Sequence, residues 1–245
     1  MVEYGLIGRG IGHSFSADFF NAKFARENID ALYSLFDLHD ISLFPSLLKE
    51  HPALKGLNVT SPYKREVIPF LSSISEEAQK LQAVNVIRID RASDGTVSMH
   101  GHNTDSRGFG MTLPKNLNGF KALVLGTGGA ASAVCAALQE ARVGYKVVSR
   151  TPSSHQIDYK EASSLIPRCR LIINASPVGM HPDVYSAPKI DYDKLTPEHF
   201  CYDLIYNPGE TLFLKLAKAK GAHTQNGLEM LLNQAILAWE IWNER

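Results

Sequence analysis

An amide, two hydroxyls, a phenol and an ammonium fall within seven positions in Asn58-Val59-Thr60-Ser61-Pro62-Tyr63-Lys64, a stretch that opens like a strand and breaks at a proline. A second polar run, Gly101 to Gly108, contains Asp105, the anionic partner best suited to Lys64. Asn85 lies on an otherwise apolar segment, where an unpaired amide would be costly to bury. Ser14 and Ser16 are two residues apart, so in an extended segment their hydroxyls share a side and suit a carboxylate. Each residue alone has a plain structural reading: Ser16 as a helix N-cap, Asn58 as a turn amide, Lys64 as a surface lysine. Taken together they supply hydroxyl donors, amides and a Lys/Asp pair, which is what oxidation of a hydroxylated acid requires.

In that oxidation, hydride leaves the hydroxyl-bearing carbon while a base removes the hydroxyl proton. A lysine has a reference pKa of about 10.4, and lowering it by ~3 units needs roughly 4 kcal/mol of differential stabilisation. Asp105 would oppose such a shift, because an anion favours the ammonium form. Its expected role is therefore to position Lys64 and the hydroxyl, and either of the two residues remains a candidate to carry the proton. In the reductive direction the conflict eases, since a protonated Lys64 is the acid required.

The hydride acceptor is suggested by Ala122 to Val134, which contains Gly126, Gly128 and Ala131 in the spacing G-x-G-x-x-A. An expected strand precedes the glycines and an expected helix follows them. The first glycine makes a tight turn, the second admits a pyrophosphate to the backbone, and the small third residue lets the helix pack on the strand. The competing reading is a purely structural turn. Past the next strand, an NAD site places an acid about 20 residues beyond the glycines. Here Ser149-Arg150-Thr151 stands at that place, and no Asp or Glu occurs until Asp158. An arginine there can pair with a 2′-phosphate, so NADP is the expected cofactor.

The elements that must carry these groups follow a strand and helix rhythm. Strands are expected at Val2 to Gly8, Tyr33 to Leu38 and Leu54 to Thr60, with helices at Ser16 to Asn28 and Ile41 to Leu48. Asp94-Gly95 marks a hairpin between Val84 to Asp90 and Thr96 to His100. After Gly101 come strands at Phe120 to Leu125, Tyr145 to Ser149, Leu171 to Asn174 and Phe200 to Leu204, with a helix at Ala130 to Ala141. A long amphipathic segment, Leu228 to Trp242, closes the chain. The fold class expected is α/β with a parallel sheet, in two domains.

Bulk properties narrow the function classes. The 245 residues carry 25 Lys plus Arg against 25 Asp plus Glu, which leaves no basic excess for nucleic acid or an anionic membrane. The three cysteines are far apart and form no CxxC, as suits a reducing compartment. The first residues lack an apolar core of signal-peptide length, and the most apolar stretch is broken by glycines. A cytoplasmic location is expected. His100 and His102 share a strand face without further ligands, so no metal site is expected.

Nine motifs in order make the chain resemble the shikimate dehydrogenase family over essentially its whole length: His13-Ser14-Phe15-Ser16, Asn58 to Lys64, Ala83-Val84-Asn85, Asn103-Thr104-Asp105, Gly126 to Ala131, Ser149-Arg150-Thr151, Asn174 to Met180, Tyr202 to Pro208 and Asn226 to Ala235. The resemblance implies a substrate-binding and catalytic domain at 1–104 plus 227–245, and a Rossmann-like NADP-binding domain at 105–226. It implies reversible NADPH-dependent reduction of 3-dehydroshikimate to shikimate, a step of aromatic amino-acid biosynthesis. By motif position, Ser14 and Ser16 would hold the substrate carboxylate, and Thr60, Asn85, Asp105 and Gln234 its hydroxyls. Asn58 and Tyr206 join the substrate set. Lys64 would be the acid/base group, oriented by Asp105. Gly126, Thr127, Gly128, Gly129 and Ala130 would bind pyrophosphate. Ser149, Arg150 and Thr151 would bind the adenosine phosphate, and Leu204 and Gly227 the nicotinamide.

The chain departs from the family pattern at Ala17, where proline is usual, and at His102 and Ser106, which replace Asp and Gly around Asn103-Thr104-Asp105. Ser149 replaces an Asn, and Ser154 a second basic residue. His102 could alter the charge near Asp105. The alternatives are a quinate/shikimate dehydrogenase of broader substrate or NAD use, a non-catalytic sensor of dinucleotide and a small acid, and another two-domain NADP enzyme such as a methylenetetrahydrofolate dehydrogenase. The partners expected are a small-molecule substrate and, at most, a second copy of the chain, as monomer or homodimer.

Overall fold

The structure is a computed structural model, and it describes residues 1–12 and 14–244. His13, the first residue of the His-Ser-Phe-Ser motif, lies outside the described residues, as does Arg245. The chain divides into two compact units, one of Met1–Thr104 with the C-terminal residues from Ala235 onward, and one of Asp105–Gln234.

The first unit contains β1 (Val2–Gly8), α1 (Phe15–Glu27), β2 (Ala31–Asp37), α2 (Phe44–Glu50), β3 (Leu54–Val59), β4 (Ser73–Ile74), α3 (Glu76–Leu81), β5 (Val86–Arg91) and β6 (Val97–His102). They form one six-stranded sheet in the order β2-β1-β3-β5-β6-β4. β1 runs parallel to β2 and β3, whereas β5 runs antiparallel to both β3 and β6. Successive side chains on a strand point to opposite faces, so Leu6 joins the core cluster with Phe20, Phe24 and Trp242 while Ile7 joins the one with Leu57, Val59 and Ile87. Each fully buried apolar side chain of this size contributes about 1.5–3 kcal/mol.

The N-terminus of α1 differs from the sequence expectation. Ser14, not Ser16, is the N-cap, and its Oγ accepts from the Ser16 N–H at 3.3 Å. Ser14 has extended backbone and Ser16 lies in the first helical turn, so the two hydroxyls are not related by strand alternation. The helix ends on Asn28 in the left-handed conformation, a position Asn tolerates better than most residues.

The second unit contains α4 (Asp105–Gly110), β7 (Lys121–Leu125), α5 (Gly129–Glu140), β8 (Gly144–Val148), β9 (Gln156–Ile157), α6 (Tyr159–Leu165), β10 (Leu171–Asn174), β11 (Phe200–Asp203), α7 (Leu212–Ala219) and β12 (His223–Gln225). Its sheet has the order β12-β11-β10-β7-β8-β9, with every pairing parallel. Read from the β9 edge, that is the 3-2-1-4-5-6 arrangement of the Rossmann fold, with the switch point between β7 and β10. Both faces are covered, as a parallel sheet requires. Leu123, Leu125, Ile172 and Cys201 enter one core, and Ala122, Val124, Ile173 and Tyr202 the other.

The last helix, α8 (Leu228–Asn243), is longer by one residue than the amphipathic segment read from the sequence. The units part within it, between Gln234 and Ala235. Trp242 stacks on Tyr4 with centroids 4.9 Å apart, lies against Gly56 and donates its Nε1–H to Ile87 O at 3.1 Å. A side chain at position 56 would occupy the indole's place, which is why the middle of β3 carries glycine.

Candidate active site

In the first unit, strand direction gathers the polar motifs at one sheet edge. β1 and β3 are parallel, so the turns that follow them emerge side by side. Thr60 N–H donates to Ile7 O at 2.9 Å and Arg9 N–H to Ser61 O at 3.2 Å. β5 is antiparallel to β3, so the residue preceding β5 comes to the same edge, where Val59 N–H donates to Asn85 O at 2.8 Å. β6 is antiparallel again, and its final residue His102 accepts from Asn85 N–H at 3.0 Å. Four motifs spread over about ninety residues of chain thus share one edge, the crevice side of an α/β sheet.

Lys64 is half-buried and rides on a fixed turn. Its carbonyl accepts from Val84 N–H at 2.7 Å, and the neighbouring Tyr63, fully buried, donates its phenol to Leu38 O at 2.6 Å. Ser61–Pro62 is a cis peptide at the head of this turn. Asn58 is buried, with its Oδ1 accepting from Tyr33 Oη at 2.8 Å and its Nδ2 donating to Asn85 O at 3.4 Å. Asn85 is satisfied by Thr104: its Oδ1 accepts from Thr104 N–H at 2.8 Å, and its Nδ2 donates to Thr104 Oγ1 at 3.0 Å. The cost of burying an amide on an apolar strand is therefore met by the Asn-Thr-Asp motif. Asn103 supports the same segment by donating to Ala83 O at 2.9 Å. The Nε2 of His102 is buried with no hydrogen-bond partner among the described residues. Burial, with the Arg88 cation beside it, depresses the His102 pKa, so His102 adds no positive charge at this edge near neutral pH.

In the second unit, the carboxyl ends of β7, β8, β10 and β11 lie in register. Gly126 has φ +128° and sits so close to β10 that a Cβ would stand 2.8 Å from Ala175 O. Only glycine meets both demands. Gly128 caps α5 without a side chain, and nothing lies within 4 Å of a Cβ placed at Gly128 or Gly129. Thr127, Gly128, Gly129 and Ala130 are exposed, whereas Ala131 is buried against the sheet. An exposed helix N-terminus with open glycines suits a pyrophosphate, and the residues present fit a dinucleotide. Ser149 follows β8 and its Oγ accepts from Thr151 N–H at 3.2 Å, while the Arg150 side chain is exposed. Asp158, the first acid beyond this turn, caps α6 by accepting from Glu161 N–H at 2.7 Å. It follows β9 rather than β8, so it does not stand at the strand end where the acid of an NAD site is placed.

Leu204 and Gly227, neighbours only in space, are brought together. A Cβ on Gly227 would stand 2.0 Å from Leu204 O, and Gly227 N–H donates to Ile205 O at 3.1 Å. Gln234 lies against Gly108, and Tyr206 is partly exposed just before the cis peptide Asn207–Pro208. Asp105 is buried as the first residue of α4. Among the described residues no group of three His, Cys, Asp or Glu could hold a metal ion, and no helix is long and apolar enough to cross a membrane. Burial pushes the Cys135 thiol up to about 11 and Cys201 up to about 12, which removes both as thiolate nucleophiles.

Residues 6–87 match the family described as the shikimate dehydrogenase substrate binding domain. The chain is 37% identical over 97% of its length to the shikimate dehydrogenase (NADP(+)) of Carboxydothermus hydrogenoformans, of which it covers 90%. The chain belongs to the shikimate dehydrogenase family. Among solved structures of the family, the chorismate mutase/shikimate 5-dehydrogenase fusion protein from Clostridium acetobutylicum is similar at a TM-score of 0.85, with 38% identity over 99% of this chain and 91% of that one. The shikimate 5-dehydrogenase from Thermus thermophilus, solved in complex with NADP(H) and shikimate, gives 0.83, with 32% identity over 99% of this chain and 94% of that one.

Four residues to which the sequence reading gave no role of their own support the two edges: Tyr33, Thr104, Asp203 and Thr211. Asp203 is fully buried at the end of β11 and accepts from Asn174 Nδ2 at 3.0 Å, Ile205 N–H at 3.0 Å and Thr211 Oγ1 at 2.5 Å. The signal for Asp203 was present as an acid closing an apolar strand. Tyr33 gave none, because an aromatic residue on a strand reads first as core.

Proposed function

We propose that this chain catalyses the reversible NADPH-dependent reduction of 3-dehydroshikimate to shikimate, the step expected in aromatic amino-acid biosynthesis. The observation that carries this reading is the gathering of Thr60, Lys64 and Asn85 at one sheet edge, in a chain related over nearly its whole length to NADP(+)-dependent shikimate dehydrogenases. Residues 1–104 with 227–245 serve as the substrate-binding and catalytic domain, and residues 105–226 bind NADP.

Ser14 and Ser16 receive the substrate carboxylate, to which hydroxyls can donate. Asn58, Thr60, Asn85, Asp105, Tyr206 and Gln234 receive the remainder of the substrate. Lys64 delivers a proton to the carbonyl oxygen in reduction and takes it back in oxidation, with Asp105 as its carboxylate partner. The rigid turn under Lys64 supports that role, since a proton donor must be held in place to act. Gly126, Thr127, Gly128, Gly129 and Ala130 hold the pyrophosphate. Ser149, Arg150 and Thr151 hold the 2′-phosphate, and Leu204 and Gly227 flank the nicotinamide. When bound, NADP(H) supplies or accepts the hydride. The engagement of Asp158 in capping α6 leaves the end of β8 to Arg150, which favours the phosphorylated dinucleotide. The enzyme works in the cytoplasm as a monomer or homodimer.

The test is an absorbance assay of nicotinamide reduction with shikimate or quinate, each offered with NADP⁺ or NAD⁺. Turnover confined to shikimate with NADP⁺ is expected. Comparable turnover of quinate, or with NAD⁺, would assign the chain to the broader branch, and a folded protein silent in all four would contradict the reading.

A further inference from the structure

The second unit carries a cavity at the end of its sheet opposite the glycine turn. Lys121 opens β7 and pairs in register with Gly144 at the start of β8, and both line the cavity, whereas Gly126 follows the other end of β7. The cavity measures about 660 Å³, within the range of small-molecule sites. Its wall combines Leu113, Leu117 and Phe120 with three cations, Lys115, Lys121 and Arg142, and no acid lines it. All three cationic residues are exposed, and none of them enters an ion pair among the described residues.

Arg142 is held there against its own backbone preference. The helix α5 ends on Ala141, and the chain turns through Arg142 at φ +56°. The Arg142 N–H donates to Gln139 O at 3.0 Å and the Val143 N–H to Leu138 O at 2.8 Å. That pair of bonds closes a helix on a left-handed residue. The place usually belongs to glycine, because a Cβ there crowds the following carbonyl oxygen. The turn itself therefore gains nothing from arginine, and what arginine adds is a guanidinium at the cavity. The carbonyl end of α5 offsets only about half a charge, so the field in the cavity stays positive.

We propose that this cavity is a second binding site, for a small molecule that carries two phosphate groups. Each phosphate ester brings about −1.5 to −2 charge near pH 7, so two of them match the three cations and one does not. The guanidinium can grip phosphate oxygens two at a time, the lysines act as point charges, and the apolar wall takes the carbon body. The inference goes beyond the proposed activity, since no residue assigned to the dinucleotide or the substrate lines this cavity.

The experiment is calorimetric titration of inorganic pyrophosphate into the full chain, with NADP⁺ in excess to occupy the glycine turn. A salt concentration of about 0.15 M screens loose surface association. Pyrophosphate should bind saturably, one per chain, with a Kd below about 1 mM. Inorganic phosphate should bind about tenfold more weakly or less. Arg142→Gly and Lys115→Gln should each weaken pyrophosphate binding by about tenfold or more. Glycine takes the left-handed backbone freely, so Arg142→Gly should melt no lower than wild type. If it does melt lower, Lys115→Gln, in an exposed loop, carries the test instead. Absence of saturable binding beside NADP⁺ would restrict pyrophosphate to the glycine turn. Unchanged binding in both variants would leave Arg142 as a partner of the helix dipole alone, and equal affinity for phosphate would remove the need for two phosphate groups. Each of these three results overturns the proposal.

Discussion

Asn174 donates its side-chain amide to Asp203 Oδ1 at 3.0 Å, tying the carboxyl ends of β10 and β11 together beside the glycine turn. The same amide donates to Val178 O at 3.1 Å, and its Oδ1 accepts from Ser176 N–H at 3.2 Å. Asp203 is thus the buried centre from which two loops and the start of α7 are held.

Burial raises the Asp203 carboxyl to about 6, above its ordinary value of 3.8. The folded chain then binds this proton more tightly than the unfolded chain does. Its contribution to stability is full below about pH 4 and is lost as pH rises to about 6, with no further change above. Asp203→Asn removes the titration. Urea denaturation from about pH 4 to 8 should show wild type losing stability relative to Asp203→Asn up to about pH 6, then a constant difference. A difference independent of pH would contradict the burial of a titrating carboxyl.

Gly126→Ala and Gly128→Ala separate strain from ligand contact. At Gly126 a side chain meets Ala175 in a left-handed backbone, so the substitution should cost about 1–3 kcal/mol of stability. At Gly128 the space is open, and the change in stability should stay below about 1 kcal/mol. Both should raise the KM for NADP⁺, because both lie on the turn proposed to receive the pyrophosphate. Normal cofactor binding by a stable Gly128→Ala would remove the turn from the cofactor site.

Arg150→Ala should weaken NADP⁺ binding and leave NAD⁺ binding nearly unchanged. A hydrogen-bonded contact to a charged group is worth about 1.5–3 kcal/mol, or roughly 10- to 100-fold in affinity. Calorimetric titration of both dinucleotides against wild type and variant measures it directly. An equal loss for both would place Arg150 on the shared pyrophosphate.

Much of this was legible in the sequence, and the exceptions have physical causes. The strand with Gly126, the helix after it and the hairpin at Asp94-Gly95 follow from local chemistry, and all three are present. Ser16 was one candidate for the N-cap, and the cap is Ser14, because two hydroxyls two residues apart are equivalent candidates until the backbone chooses. Short elements such as α3 and β12 escaped notice because a few residues carry too little periodicity. That Asn85 would meet Thr104 could not be read, since only the antiparallel course of β5 and β6 brings the two motifs to one edge. Asn58 was read as a turn or substrate amide, and its engagement with Tyr33 depends on β2 joining the sheet beside β1.

Trp242→Ala should destabilise the first unit by about 3–5 kcal/mol, the range for truncating a buried tryptophan. The substitution removes the stack on Tyr4 and leaves Ile87 O without its indole donor. Gly56→Ala should act in the same direction, because its Cβ would stand 2.3 Å from the indole ring. Chemical denaturation followed by circular dichroism reads both. Full stability in either variant would show that the C-terminal end of α8 is not part of this core.

Lys64, held on the turn after β3, is the group proposed to transfer the proton in oxidation and reduction of shikimate. The most direct measurement is the turnover number and KM for shikimate with NADP⁺, for wild type and Lys64→Ala side by side. Wild type should be active, and the turnover of the variant should fall by about 100- to 10,000-fold with little change in KM. A Lys64→Ala enzyme that turns over shikimate at a near-normal rate would contradict it.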